Sequence, residues 1–216
     1  MKNLLILGDS YSTFEGYVPE GYNPYYHPVY GEDHVGSDVT DVSMTWWGIL
    51  TEELGLNVAR NDSWSGSTIC YTAYHGIDCS ATSSFITRFE KMVCEGFFEK
   101  NEIDTVIVFG GTNDAWARSP LGEDMFSGHT KEDLHSVLPA VGYLARRLSE
   151  VLPEAKILFV INSGIATTVR DGIKRACDRF SLPYVELVSV SKHRGHPNAA
   201  GMREIAEQVK AALLSD

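Results

Sequence analysis

The chain has 216 residues, of which 44% are hydrophobic, and a formal net charge of −11. This size and composition suit one globular domain with a single substantial core, so residues 1–216 are read as one domain. The acidic charge is spread along the chain, which argues against nucleic acid or an anionic membrane as the main partner.

The sequence contains no membrane-spanning or secretion signal. No apolar run is long enough to cross a bilayer, and the first one is too short for a signal peptide. We therefore expect a cytoplasmic protein. Its four cysteines show no CxxC spacing and are expected to be free thiols, although Cys70 and Cys79 could form a disulfide in an exported protein.

The first predicted element is a buried strand over residues 4–7, where four aliphatic residues follow one another. Gly8, Asp9 and Ser10 come directly after it. The carboxyl ends of strands in an open α/β sheet are where such folds place ligands and chemistry. Ser10 is therefore a candidate nucleophile, but Gly-Asp-Ser is also ordinary turn chemistry, and the rest of the chain must decide.

Residues 11–41 show no sustained helical or strand period, and they are rich in tyrosine, glycine and proline. Long structureless connections inside a domain are uncommon and are usually functional or disordered. Disordered segments are poor in aromatic residues, which argues for order here. Two interpretations stay open: an active-site flap packed by its own tyrosines, and a surface excursion whose tyrosines only pack on the domain.

The remaining elements alternate between helix and strand. Further strands are predicted at 56–61, 103–109, 155–161 and 183–188. Helices are predicted at 43–54, from Ser83 or Ser84 to about residue 98, and at 168–180. Two more helices should run from a capping box formed by Thr130 and Asp133 to residue 148, and from near Pro197 onward. This βαβ rhythm predicts a three-layer αβα sandwich of the flavodoxin-like type. Its five-stranded parallel sheet should have the order 2-1-3-4-5.

Polar residues follow three of the strands and precede the last helix, which would bring Ser10, Gly66, Asn113 and His196 to one rim of the sheet. This set contains what acyl transfer to water requires. A histidine can take the proton of a serine hydroxyl near neutral pH. The N–H groups of Ser10 and Gly66 and the amide of Asn113 could form an oxyanion hole.

Four sequence blocks carrying these residues resemble those of the SGNH, or GDSL-type, hydrolases. The blocks are Gly8-Asp9-Ser10, with Tyr11 in place of the common leucine, then 61–66 ending in Gly66, 110–114 containing Asn113, and 196–198 beginning with His196. They occur in the family's order over nearly the whole chain. The resemblance implies a flavodoxin-like fold and ester hydrolysis without a metal or organic cofactor.

One departure from the family pattern concerns the base. The family's last block usually has an aspartate three residues before the histidine, and here that position is His193. A second imidazole brings no negative charge to pair with an imidazolium. Two alternatives stay open for the group that orients His196. Main-chain carbonyls near Lys192 or His193 would give a Ser–His dyad. Otherwise a carboxylate comes from elsewhere in the chain, and Glu186 is the nearest candidate in sequence.

Four other residues are candidate substrate contacts: Asp9, Trp64, which lies within the second block, Tyr25 and Tyr26. For Asp9 the alternative is a hydrogen-bond acceptor that fixes its own loop. The histidines show no metal-binding spacing, so no metal is expected. The absence of GxSxG argues against an α/β-hydrolase, and the lack of a phosphate-binding loop argues against a nucleotide- or flavin-binding protein.

The tyrosine-rich stretch also suggests a substrate. Aromatic rings suit sugar faces, and the polar residues Asn23, Glu32, Asp33 and Asp38 favour a polar carrier over a long acyl chain. The sequence thus predicts a serine esterase for a short, preferably acetyl, ester of a small molecule or glycan. The alternatives are a weakly active or inactive glycan-binding module and a lipase- or thioesterase-like acylhydrolase.

Overall fold

The computed structural model describes residues 1–28 and 36–215. Five parallel strands form its main sheet in the order β2-β1-β3-β4-β5, which confirms the predicted topology. The strands are β1 Lys2–Gly8, β2 Leu56–Ser63, β3 Thr105–Phe109, β4 Lys156–Ile161 and β5 Tyr184–Glu186. A two-stranded antiparallel hairpin, which was not predicted, joins β6 Lys192–His193 to β7 His196–Pro197.

Helices cover both faces of the sheet. They are α1 Trp46–Leu54, α2 Phe85–Cys94, α3 Phe97–Lys100, α4 Thr112–Trp116, α5 Val137–Val151, α6 Thr167–Phe180 and α7 Ala199–Leu214. Alternate residues of β1 point to opposite faces, so Leu5 and Leu7 pack with α2, α5 and α6, whereas Leu4 and Ile6 pack with α1 and α7. The sequence reads as a continuous apolar run because both faces are buried.

Several helix boundaries differ from the predicted ones. The helix expected to reach residue 98 ends at Cys94, because Gly96 adopts a left-handed conformation (φ 66°) that separates α2 from α3. Thr130 and Asp133 do bond to each other, but they close a 3-10 turn at Asp133–His135, and α5 begins only at Val137.

The first and last helices also begin later than predicted. Thr45 caps α1 after a 3-10 turn at Val42–Met44, and Asn198 caps α7, so Pro197 lies in β7 before the helix. The described parts of the segment 11–41 contain a 3-10 turn at Ser10–Ser12 but neither strand nor α-helix. Tyr30, Glu32, Asp33 and His34 of that segment lie outside the described residues.

Candidate active site

Ser10 opens the 3-10 turn that follows β1 and is 4% exposed. Asp9 caps this turn, since its Oδ1 accepts a hydrogen bond from the Tyr11 N–H at 3.0 Å. A Cβ at Gly8 would lie 2.6 Å from Ser63 Oγ and 2.7 Å from Ser12 Oγ. Only glycine therefore lets the turn pack this closely on β2 and places Ser10 at the carboxyl edge of the sheet.

The structure brings Ser10 and His196 together from opposite ends of the chain. His196 Nε2 lies 3.0 Å from Ser10 Oγ. His196 is half-buried in β7, just before α7. This distance is within the range in which an imidazole can accept the proton of a hydroxyl.

The other ring nitrogen of His196 faces no carboxylate among the described residues. Nδ1 is buried and makes no hydrogen bond of ordinary geometry there. Burial lowers the pKa of His196 below its usual 6.5, and the charge of Lys192 lowers it further, while the nearby Arg194 backbone carbonyl acts in the opposite direction. Among the described residues, no acid therefore takes the place of the family's aspartate at Nδ1.

Neither residue proposed from the sequence to orient His196 takes that place. His193 is exposed and stands opposite His196 across the hairpin, where it can add no negative charge. Glu186 lies at the end of β5, where its carboxylate accepts a hydrogen bond from Lys174 and pairs with Arg170 at 3.1 Å. The expectation that Glu186 supports His196 is therefore corrected, because its carboxylate is paired with Lys174 and Arg170 instead.

Aromatic rings surround the imidazole instead. Tyr25 stacks on His196 with ring centroids 3.6 Å apart and planes only 8° from parallel. Tyr11 and Trp116 lie at 5.4 and 6.2 Å, and Trp116 is 42% exposed. Tyr25 is half-buried and stays a candidate for substrate contact, whereas Tyr26 is fully buried and presents no surface to a substrate, which corrects that prediction.

The predicted oxyanion groups come from the loops after β1, β2 and β3. Gly66 has a φ of 81°, and neither its N–H nor that of Ser10 donates to an acceptor within residues 1–28 and 36–215. Asn113 Nδ2 donates one hydrogen bond to the Ser67 carbonyl at 3.0 Å, which joins the second and third blocks. An amide nitrogen carries two hydrogens, so the second one stays available to a ligand.

Two buried aspartates support these loops. Asp114 accepts hydrogen bonds from the N–H groups of Ile69 and Cys70 and so anchors the loop that follows Gly66. Asp9 is fully buried, and burial raises its pKa to about 7 despite the Tyr11 N–H, which acts to lower it. Its burial corrects the prediction that Asp9 contacts substrate, whereas its bond to the Tyr11 N–H confirms the prediction that it fixes the loop.

Trp64 links the second block to the tyrosine-rich segment. Its backbone N–H donates to the Gly8 carbonyl at 3.2 Å. Its half-buried indole ring packs on Tyr22, with ring centroids 4.4 Å apart. This position near the Ser10 turn keeps Trp64 as a predicted pocket residue. The described residues contain no cluster of three or more metal-binding side chains, and none of their helices has the length and apolarity needed to cross a membrane.

A known protein family matches nearly the whole chain. The family model for GDSL-like lipase/acylhydrolase proteins matches residues 2–213. The chain belongs to the GDSL-like lipase/acylhydrolase family.

Solved structures of the GDSL-like family extend the comparison. Proteins described as GDSL-like lipases from Bacteroides ovatus and Bacteroides uniformis are 38% and 39% identical to the chain, each with a TM-score of 0.90. The alignments cover 99% of this chain and 98% and 95% of those chains. A family two carbohydrate esterase from Clostridium thermocellum, in complex with cellohexaose, shares the fold at 17% identity and a TM-score of 0.64, covering 98% of this chain and 63% of that one. No curated protein matches the sequence.

Two residues of this GDSL-like site were missed in the sequence. The Tyr74 hydroxyl donates to Asn113 Oδ1 at 2.7 Å and so fixes which way the amide points. Arg88 is buried beneath the site and donates to the Gly8 carbonyl at 3.0 Å, to Ser67 Oγ at 3.1 Å and to Asp62 Oδ1 at 2.8 Å. It therefore ties the turn that carries Ser10 to the loop that carries Gly66.

Proposed function

We propose that this protein is a serine esterase that removes a short acyl group, with acetyl as the expected case, from a polar carrier such as a carbohydrate. The 3.0 Å contact between Ser10 Oγ and His196 Nε2 is the observation that carries the proposal. Membership of the acylhydrolase family supports hydrolysis of an ester bond.

The chemistry follows from the roles that these groups can play. His196 takes the proton of Ser10 as Oγ attacks the acyl carbon, and the negative charge moves to the carbonyl oxygen. The N–H groups of Ser10 and Gly66 and the amide of Asn113 stabilise that oxyanion, each by about 3–4 kcal/mol in comparable sites. His196 then gives its proton to the leaving alcohol, and a water activated by the same imidazole releases the acid.

The surroundings of the site support a polar carrier. Trp116 and the Tyr22–Trp64 pair offer aromatic faces near the nucleophile, and aromatic faces suit the C–H surface of a sugar ring. The carbohydrate esterase that shares the fold was crystallised with cellohexaose, a sugar oligomer. A protein for long acyl chains would need an extended aliphatic channel, for which the tyrosine-rich segment offers no aliphatic run.

Acyl-chain preference tests this proposal directly. We expect kcat/KM for p-nitrophenyl acetate to exceed that for the octanoate ester by about tenfold or more, because a short pocket rejects the extra methylenes. The butyrate ester should fall between them. Faster cleavage of octanoate would instead favour a lipase- or thioesterase-like acylhydrolase. No turnover of any ester, with glycan binding that survives Ser10→Ala, would favour a non-catalytic binding module.

The pH dependence should reflect the buried base. His196 acts in its neutral form, so kcat/KM rises with pH as the imidazolium loses its proton. Because burial and the Lys192 charge lower the pKa of His196, the midpoint of this acid limb is expected below pH 6.5. Lys192→Met removes the charge and should move the midpoint upward. A midpoint above 6.5 in the wild type would contradict the assignment of His196 as a buried base.

A further inference from the structure

The two backbone carbonyls that flank His196 are each held by a tyrosine hydroxyl. Tyr11 Oη donates to the Gly195 carbonyl at 2.5 Å, and Tyr26 Oη donates to the Pro197 carbonyl at 2.8 Å. Both tyrosine side chains are fully buried. The peptide segment that carries the base is thus fixed on both sides by side chains from the beginning of the chain.

We propose that Tyr11 and Tyr26 are positioning residues that hold His196 in register with Ser10, the task that an aspartate on Nδ1 performs in a Ser–His–Asp triad. This inference rests on the proposed esterase function. It assigns the two phenol groups to the base, not to the substrate.

The hairpin needs such support because very few of its residues pair with each other. It pairs only Lys192 with Pro197 and His193 with His196. Its turn contains Arg194 and Gly195, both with positive φ values of 48° and 84°. Two residue pairs cannot by themselves fix a ring to within the few tenths of an ångström that proton transfer demands.

Both tyrosines are also linked to the turn that carries Ser10. Tyr11 follows Ser10 in the same 3-10 turn, so nucleophile and base are anchored to one short piece of backbone. The residue before Tyr26 reinforces this link: the Tyr25 N–H donates to Thr13 Oγ1 at 2.8 Å, and Thr13 Oγ1 donates to the Ser10 carbonyl at 3.0 Å. The Tyr25 ring then covers one face of the imidazole.

Removing each hydroxyl while keeping the ring tests the inference. Tyr11→Phe and Tyr26→Phe are each expected to lower kcat for p-nitrophenyl acetate by roughly tenfold, and the double variant by about a hundredfold, with little change in KM. Tyr143→Phe is the matched control, because its hydroxyl also has a partner, Glu90 Oε1 at 3.0 Å, but on α5 away from the site. It should leave kcat unchanged. Unfolding curves establish the temperature at which all variants are fully folded.

The pKa of the His196 imidazole provides a readout that a purely structural role would not move. A released hairpin admits water to the ring, so the effect of burial weakens and the pKa should rise toward 6.5 in the double variant. Among the described residues, the groups facing the ring are the Lys192 charge, the Arg194 backbone and the phenols of Tyr11 and Tyr25. Lys192 belongs to the same hairpin, so releasing the hairpin also moves its charge away from the ring, which raises the pKa in the same direction. Proton NMR titration measures this pKa, with His196→Gln identifying the resonance.

The outcomes separate this inference from the proposed function. A kcat equal to that of Tyr143→Phe, or an unchanged His196 pKa in the double variant, would overturn the positioning role while the esterase assignment stands. If the wild type hydrolyses no ester, the proposed function fails. The NMR titration then decides alone whether the two hydroxyls hold the imidazole, since it needs no turnover.

Discussion

Ser10→Ala is expected to lower kcat for hydrolysis of an acetate ester by about 10⁶-fold, the scale seen when a serine nucleophile is removed. The reason is that, in the proposed mechanism, the variant cannot form the acyl-enzyme, whereas the proposed oxyanion donors and substrate contacts stay in place. The KM should change little, because Ser10 contributes to the reaction and not to binding of the carrier. Stopped assays with p-nitrophenyl acetate, corrected for spontaneous hydrolysis, measure both constants.

The companion variants show whether Ser10 and His196 act as a unit. His196→Ala should cost about as much as Ser10→Ala, and the double variant should be no worse than either, since each single change already stops the same step. Ser149→Ala is the control, because this serine on α5 only donates to the Ala145 carbonyl. Retention of most activity in Ser10→Ala would contradict the proposed nucleophile and favour a mechanism with an attacking water.

Much of the fold and the grouping of the four blocks could be predicted because the signals are local. An apolar run broken by Gly8 marks a buried strand and its end, and parallel strands send their carboxyl ends to one rim. The order of the blocks and the rhythm of helices and strands then suffice to place Ser10 beside His196, which the structure finds at 3.0 Å. No contact had to be known in advance.

The surroundings of His196 could not be predicted, since they depend on tertiary contacts alone. A hairpin of two residues on each side has no period to detect, and the tyrosines that hold it lie more than 150 positions earlier in the chain. Tyr11 was visible as a departure from the family's leucine, and His193 as a departure from its aspartate. The structure shows that the hydroxyl gained at Tyr11 bonds to the very hairpin that lacks the acid.

Arg88 did carry a signal in the sequence. It stands at the third position after Phe85 and directly before Phe89, on the face of α2 that also buries Met92. A charged side chain is rarely buried without partners, so an arginine at a core-facing helix position indicates that hydrogen-bond acceptors lie around its guanidinium group. The acceptors are the ends of β1 and β2, because Arg88 donates to the Gly8 carbonyl, to the Asp62 carbonyl and to the Asp62 carboxylate.

Arg88→Met is expected to lower the free energy of unfolding by about 3–5 kcal/mol, the cost of breaking a buried ion pair by removing one partner. Methionine fills much of the same volume, so the loss comes mainly from polar groups. The Asp62 carboxylate is fully buried and, of its partners in the described part of the chain, would keep only Arg60, whose Nε lies 2.7 Å from Oδ2. Ser67 Oγ and the Gly8 carbonyl would also lose a donor. Urea denaturation followed by far-ultraviolet circular dichroism measures the change.

Two further variants separate burial from simple loss of charge. Arg175→Met removes an exposed arginine that also contacts both oxygens of a carboxylate, that of Asp124, and should cost less than about 1 kcal/mol. Adding Asp62→Asn to Arg88→Met should recover about 1–2 kcal/mol, because an uncharged amide is cheaper to leave buried than a carboxylate. Equal losses for Arg88→Met and Arg175→Met would mean that the buried network contributes no more than a surface ion pair. The turn that carries Ser10 would then owe its position to its other contacts, among them the Asp9 cap and the bond from the Trp64 N–H to the Gly8 carbonyl.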